Sequence, residues 1–378
     1  MVPVIPLSQP SITALEVACI TDAAESGWVS SKGKYIDRFE ESFAAYCGTR
    51  YALTTSSGTT ALHLALASYN IQSGDEVIVP DITFVSTANA VSYTGARPIF
   101  VDIDPETLCI DIERVKQAIT PQTKAIVAVH LYGHPANVPA LRAIAQPRGI
   151  VVIEVAAEAH GASIDGHRTG SLGDCAIFSF YGNKIVTCGE GGMLTTNDTA
   201  LYERALHLRN QAMSPTQRYW HTEIGFNYRM TNLQAALGFA QMKRIDSFVQ
   251  KKKEIFDWYR LYLTPHPKMQ LNRTAHWADS VFWQVCLEVE GWRGTDRDRF
   301  MRSLLTRGIE SRPYFYPISE MPMYKENAQH PTPVAHRVSQ QGLNLPSYFD
   351  MCKQDVKYIC AEISHFMNLA TPARTATE

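Results

Sequence analysis

The 378-residue sequence predicts an α/β protein built on a mainly parallel central sheet. Short apolar runs rich in Val and Ile recur through the first half of the chain without polar alternation, which is typical of strands buried on both faces. Helical patterns lie between many of these runs, as they do in proteins whose helices cover both faces of a parallel sheet. Polar and glycine-rich segments follow several of the runs, at the strand ends where such sheets bind ligands.

The individual elements follow from these patterns. Strands are predicted at Tyr51–Thr54, Glu76–Pro80, Pro98–Asp102, Ala125–His130, Ile150–Val155, Cys175–Phe180 and Gly192–Thr195. Helices are predicted between them, for example at residues 59–69 and 111–119.

The second half of the chain predicts a different arrangement. Thr231 is placed to cap one long helix whose apolar period continues to Tyr259, about 45 Å at 1.5 Å per residue, and which links two domains. Alternating apolar residues at 281–289 predict a half-buried strand, residues 295–308 a helix, and residues 356–366 a final amphipathic helix before a frayed tail at 370–378. We therefore predict a large α/β domain at residues 1–245, which carries the site, and a smaller α+β domain at 246–378.

Composition and charge exclude several classes of protein. Hydrophobic residues make up 45% and charged residues 19% of the chain, which is typical of globular proteins, and the net charge of -2 gives no indication of nucleic-acid or membrane binding. The eight cysteines are scattered without a C-x-x-C pair, as expected for reduced thiols. No signal peptide or membrane-spanning run is evident, so we expect a cytoplasmic protein.

One lysine, Lys184, stands in the most informative run, residues 179–192, which reads SFYGNKIVTCGEGG. A predicted strand precedes it and a glycine-rich turn follows it, so the lysine is restrained. An amine that is desolvated, or close to another cation, loses basicity and becomes a nucleophile toward a carbonyl. We therefore interpret Lys184 as catalytic and expect its amine to attack the aldehyde carbon of pyridoxal phosphate. The alternative is an ordinary surface lysine.

Ser57, Gly58 and Thr59 predict a phosphate site. They follow a strand and open a helix, where backbone N–H groups, hydroxyls and a glycine that permits close approach form a phosphate cradle. The alternative is a plain helix cap. Phe84 could stack on a pyridine ring or be a core aromatic, and Glu158 could share a proton with a ring hydroxyl.

Two clusters invite a metal interpretation. His130 and His134 are four residues apart, but they leave a strand for a Gly-Pro loop, so helical spacing does not apply. Glu154, Glu158 and His160 offer a single nitrogen ligand. Neither cluster has the closed set of three or four ligands of a typical zinc site, and we predict no metal.

In order along the chain, these motifs resemble the DegT/DnrJ/EryC1/StrS family of pyridoxal-phosphate sugar aminotransferases. The resemblance runs from residue 27 to residue 346 and rests on the segments 57–59, 80–84, 153–161, 179–192, 225–231 and 308–317. It implies the fold type I of pyridoxal-phosphate-dependent transferases and a homodimer with shared active sites. The implied reaction is ping-pong Schiff-base transfer of an amino group from L-glutamate to a nucleotide-linked 4-keto-6-deoxy sugar. The run RPYFYP at 312–317 is most similar to members that aminate C4 of GDP-4-keto-6-deoxymannose, giving perosamine for O-antigens.

The resemblance also implies roles for single residues. Lys184 matches the lysine that holds the cofactor covalently, Phe84 the stacking aromatic and Glu158 the residue beside the ring hydroxyl. The phosphate contacts match Ser57, Gly58, Thr59, Ser179 and, lent by the neighbouring subunit, Asn227. Arg229 and Arg312 are the candidate partners of a substrate carboxylate or diphosphate, which a guanidinium fork suits.

Val155 departs from the family pattern, which usually reads Glu-Asp-Ala-Ala where this chain reads Glu-Val-Ala-Ala. The missing aspartate pairs with the pyridine nitrogen and keeps it protonated, so that the cofactor acts as an electron sink. Glu154 is an unsuitable substitute, because adjacent strand residues point to opposite faces. Two alternatives therefore stand beside the transaminase: a catalytically impaired binding or regulatory homologue, which Val155 favours, and a sugar dehydratase, against which Lys184 argues because such relatives have histidine there.

Overall fold

The computed structural model describes residues 4–263 and 265–370. Residues 371–378 of the predicted tail lie outside the described residues. The helices are α1 Ala14–Glu25, α2 Lys34–Cys47, α3 Gly58–Ser68, α4 Ser86–Tyr93, α5 Ile112–Ala118, α6 Val138–Ala145, α7 Thr199–Arg209, α8 Asn232–Met242, α9 Ile245–Tyr262, α10 Gly294–Thr306, α11 Pro333–Gln341 and α12 Lys353–Ala370. The strands are β1 Tyr51–Thr55, β2 Glu76–Pro80, β3 Arg97–Val101, β4 Thr123–Val129, β5 Val151–Val155, β6 Ser163–Ile164, β7 His167–Arg168, β8 Cys175–Ser179, β9 Gly192–Thr196, β10 Met269–Leu271, β11 Ala278–Asp279, β12 Val285–Val289, β13 Arg312–Pro313 and β14 Gly342–Leu345.

A seven-stranded sheet in the order β1-β9-β8-β5-β4-β2-β3 forms the centre of the molecule. Its neighbours from β3 to β8 pair in parallel, whereas β9 pairs antiparallel with both β8 and β1. Each strand predicted in this half of the chain corresponds to one of the seven, which confirms the α/β fold with a mainly parallel sheet.

Two hydrophobic cores explain why the strands lack polar alternation. Along β4, Val127 belongs to the core on the side of α2, α3 and α8, and Ala128 belongs to the core on the side of α5 and α6. Along β5, Ile153 and Val152 divide in the same way. Because successive side chains point to opposite faces, a strand covered on both sides is apolar at every position.

The predicted single helix from Thr231 to Tyr259 is instead two helices. Thr231 caps α8 as expected, its hydroxyl accepting from the N–H of Gln234. The chain then leaves helical geometry at Arg244, with φ -114° and ψ 1°. The Arg244 guanidinium donates to Glu16 in α1 at 2.7 Å. This long-range contact fixes the break, and a local apolar period could not indicate it.

The C-terminal part forms a four-stranded antiparallel sheet in the order β10-β12-β14-β13, with α9, α10 and α12 contributing to its own core. The predicted half-buried strand at 281–289 is shorter, at 285–289, and wholly buried. Phe282 has a left-handed φ of 47°, which stops the strand before Val285. Both faces of β12 are covered, because Leu287 lies in the C-terminal core and Cys286 in the central one.

The domain boundary at residue 245 remains a prediction. Three pairings among the described residues cross it: β11 pairs with β6, Ile82 bridges Pro317, and Ile5 bridges Ile309. The N–H of Ile5 also donates to Gly308 O at 2.7 Å. Among the residues the structure describes, no helix combines the length and the apolar character needed to cross a bilayer.

Candidate active site

The site lies where β5 and β8 end. The strands are parallel neighbours, so the segments that follow them leave the same edge of the sheet. The segment after β5 carries Glu158 and the segment after β8 carries Lys184. The start of α3 is also here, because a Cβ at Gly58 would lie 2.9 Å from the Cβ of Ser179.

Lys184 and Glu158 form a buried ion pair. Lys184 Nζ lies 3.4 Å from Glu158 Oε1, and the two side chains are 11% and 6% exposed. Glu158 also accepts the N–H of Tyr132 at 2.9 Å. Burial lowers the pKa of Lys184, an effect that the positive charge of Arg312 strengthens and that Glu158 opposes. Burial likewise raises the pKa of Glu158 despite the nearby ammonium. The lysine is thus the desolvated amine that the sequence predicted.

Trp283 covers Lys184, a contact that the sequence did not indicate. Lys184 Nζ lies 4.0 Å from the centre of the indole ring, and the indole Nε1–H donates to the carbonyl of Asn183 at 2.8 Å. Trp283 is about a hundred positions from Lys184 and falls in an alternating apolar pattern that reads as core. No local signal in the sequence separates it from its neighbours.

Tyr132 is the second residue that sequence reasoning missed. Its backbone is left-handed, with φ 53°, and this conformation aims its N–H at Glu158. Its ring stacks on Phe315 at 5.5 Å and 14°, and its hydroxyl accepts the N–H of Phe315 at 3.0 Å. A strained backbone at a bulky residue is the kind of feature that clusters at functional sites, but only the structure reveals it.

The start of α3 has the form of an anion cradle. Ser57 is the N-cap and exchanges hydrogen bonds with Thr60, while Gly58 and Thr59 open the helix. The first N–H groups of a helix have no partner within it, and the helix dipole favours an anion there. Ser179 closes the other side, against Gly58. The predicted phosphate residues Ser57, Gly58, Thr59 and Ser179 therefore lie together.

Phe84 presents an aromatic face above this edge of the sheet. It is 57% exposed, which excludes the core alternative, and its ring centre lies 6.0 Å from that of Phe315. An exposed, flat apolar ring is suited to cover a ligand ring.

Asn227 and Arg229 lie in the turn before α8. Arg229 donates to Asn227 Oδ1 through Nε at 3.2 Å and Nη2 at 2.9 Å, so the two predicted ligands are bonded to each other. The turn is near the cradle, because Ser56 N–H donates to Tyr228 O at 2.8 Å. Arg312 lies exposed on β13, and its charge acts on Lys184.

Val155 ends β5 as a buried aliphatic residue, 7% exposed. Glu154 lies on the other face and is fully used: it bonds His130 Nε2 at 2.9 Å and accepts the N–H groups of Gly170, Leu172 and Gly173 at 2.7–3.0 Å. Glu154 therefore has no free oxygen to serve in place of an aspartate at 155.

The histidines considered as metal ligands contact main-chain groups and core side chains. His130 also accepts the N–H of Ala136 at 2.9 Å, and His134 accepts that of Ala275 at 3.0 Å. His160 is packed against phenylalanines, and burial lowers its pKa to about 3, so the imidazole is neutral.

Comparison with known proteins decides the family. A profile of the DegT/DnrJ/EryC1/StrS aminotransferase family matches residues 10–364. The chain belongs to this family. It is 43% identical to a GDP-perosamine synthase of Escherichia coli O157:H7 over 96% of this chain and 98% of that protein. It is 41% identical to a GDP-perosamine synthase of Vibrio cholerae over 96% of this chain and 99% of that protein. The solved PLP-form of a putative sugar aminotransferase from Streptococcus pneumoniae superimposes with a TM-score of 0.92 at 26% identity, covering 97% and 100% of the two chains.

Family membership confirms the predicted enzyme class, a sugar aminotransferase, and its predicted cofactor, pyridoxal phosphate. The geometry fits most of that group: a buried amine of lowered pKa faces the place for an aldehyde, and N–H and hydroxyl donors face the place for a phosphate. Val155, which stands where the family pattern has the aspartate expected at the ring nitrogen, offers no hydrogen-bonding group.

Proposed function

We propose that this enzyme transfers the amino group of L-glutamate to C4 of a nucleotide-linked 4-keto-6-deoxy sugar, with GDP-4-keto-6-deoxymannose as the favoured substrate. The observation that carries the proposal is the buried Lys184–Glu158 pair beside the α3 cradle. The choice of sugar is supported by the similarity to GDP-perosamine synthases over nearly the whole chain.

In this proposal the cofactor is held by the residues already described. Ser57, Gly58, Thr59 and Ser179 bind the phosphate, and Phe84 covers the ring. Glu158 lies beside the ring hydroxyl. Bound there, pyridoxal phosphate supplies an aldehyde that captures amines and a ring that withdraws electrons from them.

Lys184 has two tasks. Its Nζ holds the cofactor, and it is then the group placed to carry a proton at the α-carbon of the amino donor and at C4 of the sugar. A lowered pKa suits both, because the neutral amine is the nucleophile and the base. Glu158 keeps the amine in place and limits the fall of its pKa.

We further propose a homodimer in which each active site receives Asn227 of the partner subunit at the phosphate. Arg312 is the proposed partner of a substrate anion, supported by its exposure and by its charge close to Lys184. Arg229, which bonds Asn227, has the same proposed role toward a carboxylate or diphosphate. The eight unpaired cysteines support a reducing compartment, the cytoplasm.

The test is a spectrum followed by an activity assay. Purified protein is mixed with pyridoxal phosphate, and the cofactor's absorbance is recorded before and after L-glutamate. GDP-4-keto-6-deoxymannose is then added to one sample and a dTDP-linked 4-keto-6-deoxy sugar to another. The products are identified by mass spectrometry. We expect the GDP-linked amino sugar to form with the wild-type protein and with Lys116→Ala, an exposed lysine, and not with Lys184→Ala.

A Lys184→Ala variant that aminates the sugar at the wild-type rate would contradict the mechanism. Amination of the dTDP sugar alone would contradict only the substrate. A cofactor that binds stoichiometrically and stays inert toward every donor would support the second candidate, a catalytically impaired binding protein, which Val155 favours.

A further inference from the structure

The Lys184 amine rests on the face of an indole. Its Nζ lies 4.0 Å from the ring centre of Trp283, inside the range of about 6 Å at which a cation is attracted to an aromatic face. Trp283 is 5% exposed, so water does not weaken the contact much. We propose that Trp283 is a positioning residue whose ring stabilises the charged form of Lys184 and whose N–H fixes the adjoining backbone. This inference rests on the proposed role of Lys184.

Trp283 is held at both ends. Its indole Nε1–H donates to Asn183 O at 2.8 Å, so the ring is tied to the residue before Lys184. Its own carbonyl accepts Lys252 Nζ at 2.9 Å and Ser347 Oγ at 3.2 Å. Gly133 packs against its backbone, because a Cβ there would lie 2.7 Å from Trp283 N. The ring is thus held by one hydrogen bond, and its main chain is held on two sides. We infer that Lys184 adapts to the ring rather than the reverse.

Lys252 is the anchor behind this ring. It is 8% exposed, and its amine bonds the Trp283 carbonyl, the Ser347 carbonyl and the Ser347 hydroxyl. These acceptors are all neutral. The amine, which extends from α9, therefore joins the main chain at Trp283 to that at Ser347. Its removal would leave the Trp283 carbonyl with only the Ser347 hydroxyl as donor.

Burial and three groups, Glu158, Arg312 and the Trp283 indole, act on the charge state of Lys184. Glu158 favours the ammonium, whereas burial and Arg312 disfavour it. His160 is buried and neutral. The indole face adds a second attraction to that of the carboxylate. Replacing the ring by an aliphatic side chain that still excludes water should therefore make Lys184 easier to deprotonate.

The test measures the proton affinity of Lys184 without cofactor. Apo protein is acetylated with trace acetic anhydride across a pH series, and the labelled fraction of each lysine is read by mass spectrometry. Only the neutral amine reacts, so each lysine gives a midpoint pH. For Trp283→Leu we expect the Lys184 midpoint to fall by about 0.4 to 1.5 pH units.

The direction of the shift separates positioning from packing. If Trp283 only excluded water, its truncation would hydrate the ammonium and raise the midpoint. An unchanged or higher midpoint in Trp283→Leu therefore overturns the proposal. Trp283→Phe keeps an aromatic ring, so we expect the Lys184 midpoint to fall by less in this variant. If the leucine variant does not fold, a lower midpoint in Trp283→Phe tests the same prediction.

A matched control is available at Trp258, whose ring lies 4.3 Å from Lys251 Nζ. Trp258→Leu makes the same change in the same kind of contact and should leave the Lys184 midpoint unchanged. An equal fall of the Lys184 midpoint in Trp258→Leu would show that the shift comes from a general loss of packing, and it would overturn the proposal.

The anchoring role of Lys252 is tested by a separate measurement. The indole N–H signal of Trp283, identified in nitrogen-15 spectra by its loss in Trp283→Phe, should move or broaden in Lys252→Met. An unchanged signal would overturn the anchoring role.

Failure of the proposed function is recognised separately. Borohydride reduction of wild-type protein mixed with pyridoxal phosphate, followed by peptide mapping, shows whether the cofactor is attached to Lys184. If it is not, the function fails while the midpoint shift still decides the contact between ring and amine.

Discussion

At the scale of single residues, Val155 gives the most direct prediction about catalysis. It ends β5 where the family pattern has an aspartate, and Glu154 cannot replace that group because four hydrogen bonds hold it on the other face. A charged hydrogen bond contributes about 1.5–3 kcal/mol. If it acts only in the transition state, Val155→Asp should raise the transamination rate about 10- to 150-fold. The check is the rate of cofactor conversion by L-glutamate in stopped-flow absorbance.

The same substitution should reduce the stability of the protein without cofactor, because an unpaired carboxylate is then buried. Thermal melts with and without pyridoxal phosphate measure this, and the loss should be recovered on binding. Val155→Asn is the control: it matches aspartate in size but cannot keep a ring nitrogen protonated, so its rate should stay near that of wild type. An equal gain in rate with asparagine would contradict the explanation.

At the scale of elements, α8 shows how a cap predicted locally supports the site. Thr231 and Gln234 exchange hydrogen bonds in a capping box directly after the Asn227–Arg229 turn. Thr231→Ala should lower the free energy of unfolding by about 1 kcal/mol. Urea denaturation measures the loss. Thr13→Ala, which removes the corresponding capping box of α1, should cost a similar amount, and no loss in either variant would contradict the assignment.

At the scale of the whole molecule, buried Lys252 predicts a pH dependence of stability. Burial lowers its pKa from 10.5 to about 7 in the folded protein. Between these values the unfolded chain binds the extra proton, so the folded state gains stability as the pH rises. The contribution is absent below about pH 7 and complete above about pH 10.5. It reaches about 5 kcal/mol at 1.36 kcal/mol per pKa unit.

We expect the free energy of unfolding to rise more steeply with pH in the wild type than in Lys252→Met across this window. Urea unfolding at a series of pH values gives both slopes, and their difference removes the other titrating groups. Lys253→Met, on the same helix but paired with Asp279 near the surface, should keep the wild-type slope. Parallel slopes for wild type and Lys252→Met would exclude a lowered pKa at Lys252.

The sequence by itself determined the seven strands of the central sheet, the cap at Thr231, the cradle at Ser57–Thr59 and the catalytic candidate Lys184. Each depends on residues a few positions apart, where period, capping and turn chemistry act directly. The aspartate missing at Val155 was also visible in the sequence, whereas the exposure of Phe84 was left open there and decided by the structure.

Only the tertiary structure decided what surrounds Lys184. Trp283, Tyr132 and Lys252 come from distant parts of the chain, and in sequence each resembles an ordinary core or surface residue. The break at Arg244 likewise depends on Glu16, more than two hundred residues away. Burial, ring contacts and ion pairs arise when segments meet, so the groups that set the charge of the lysine are properties of the fold.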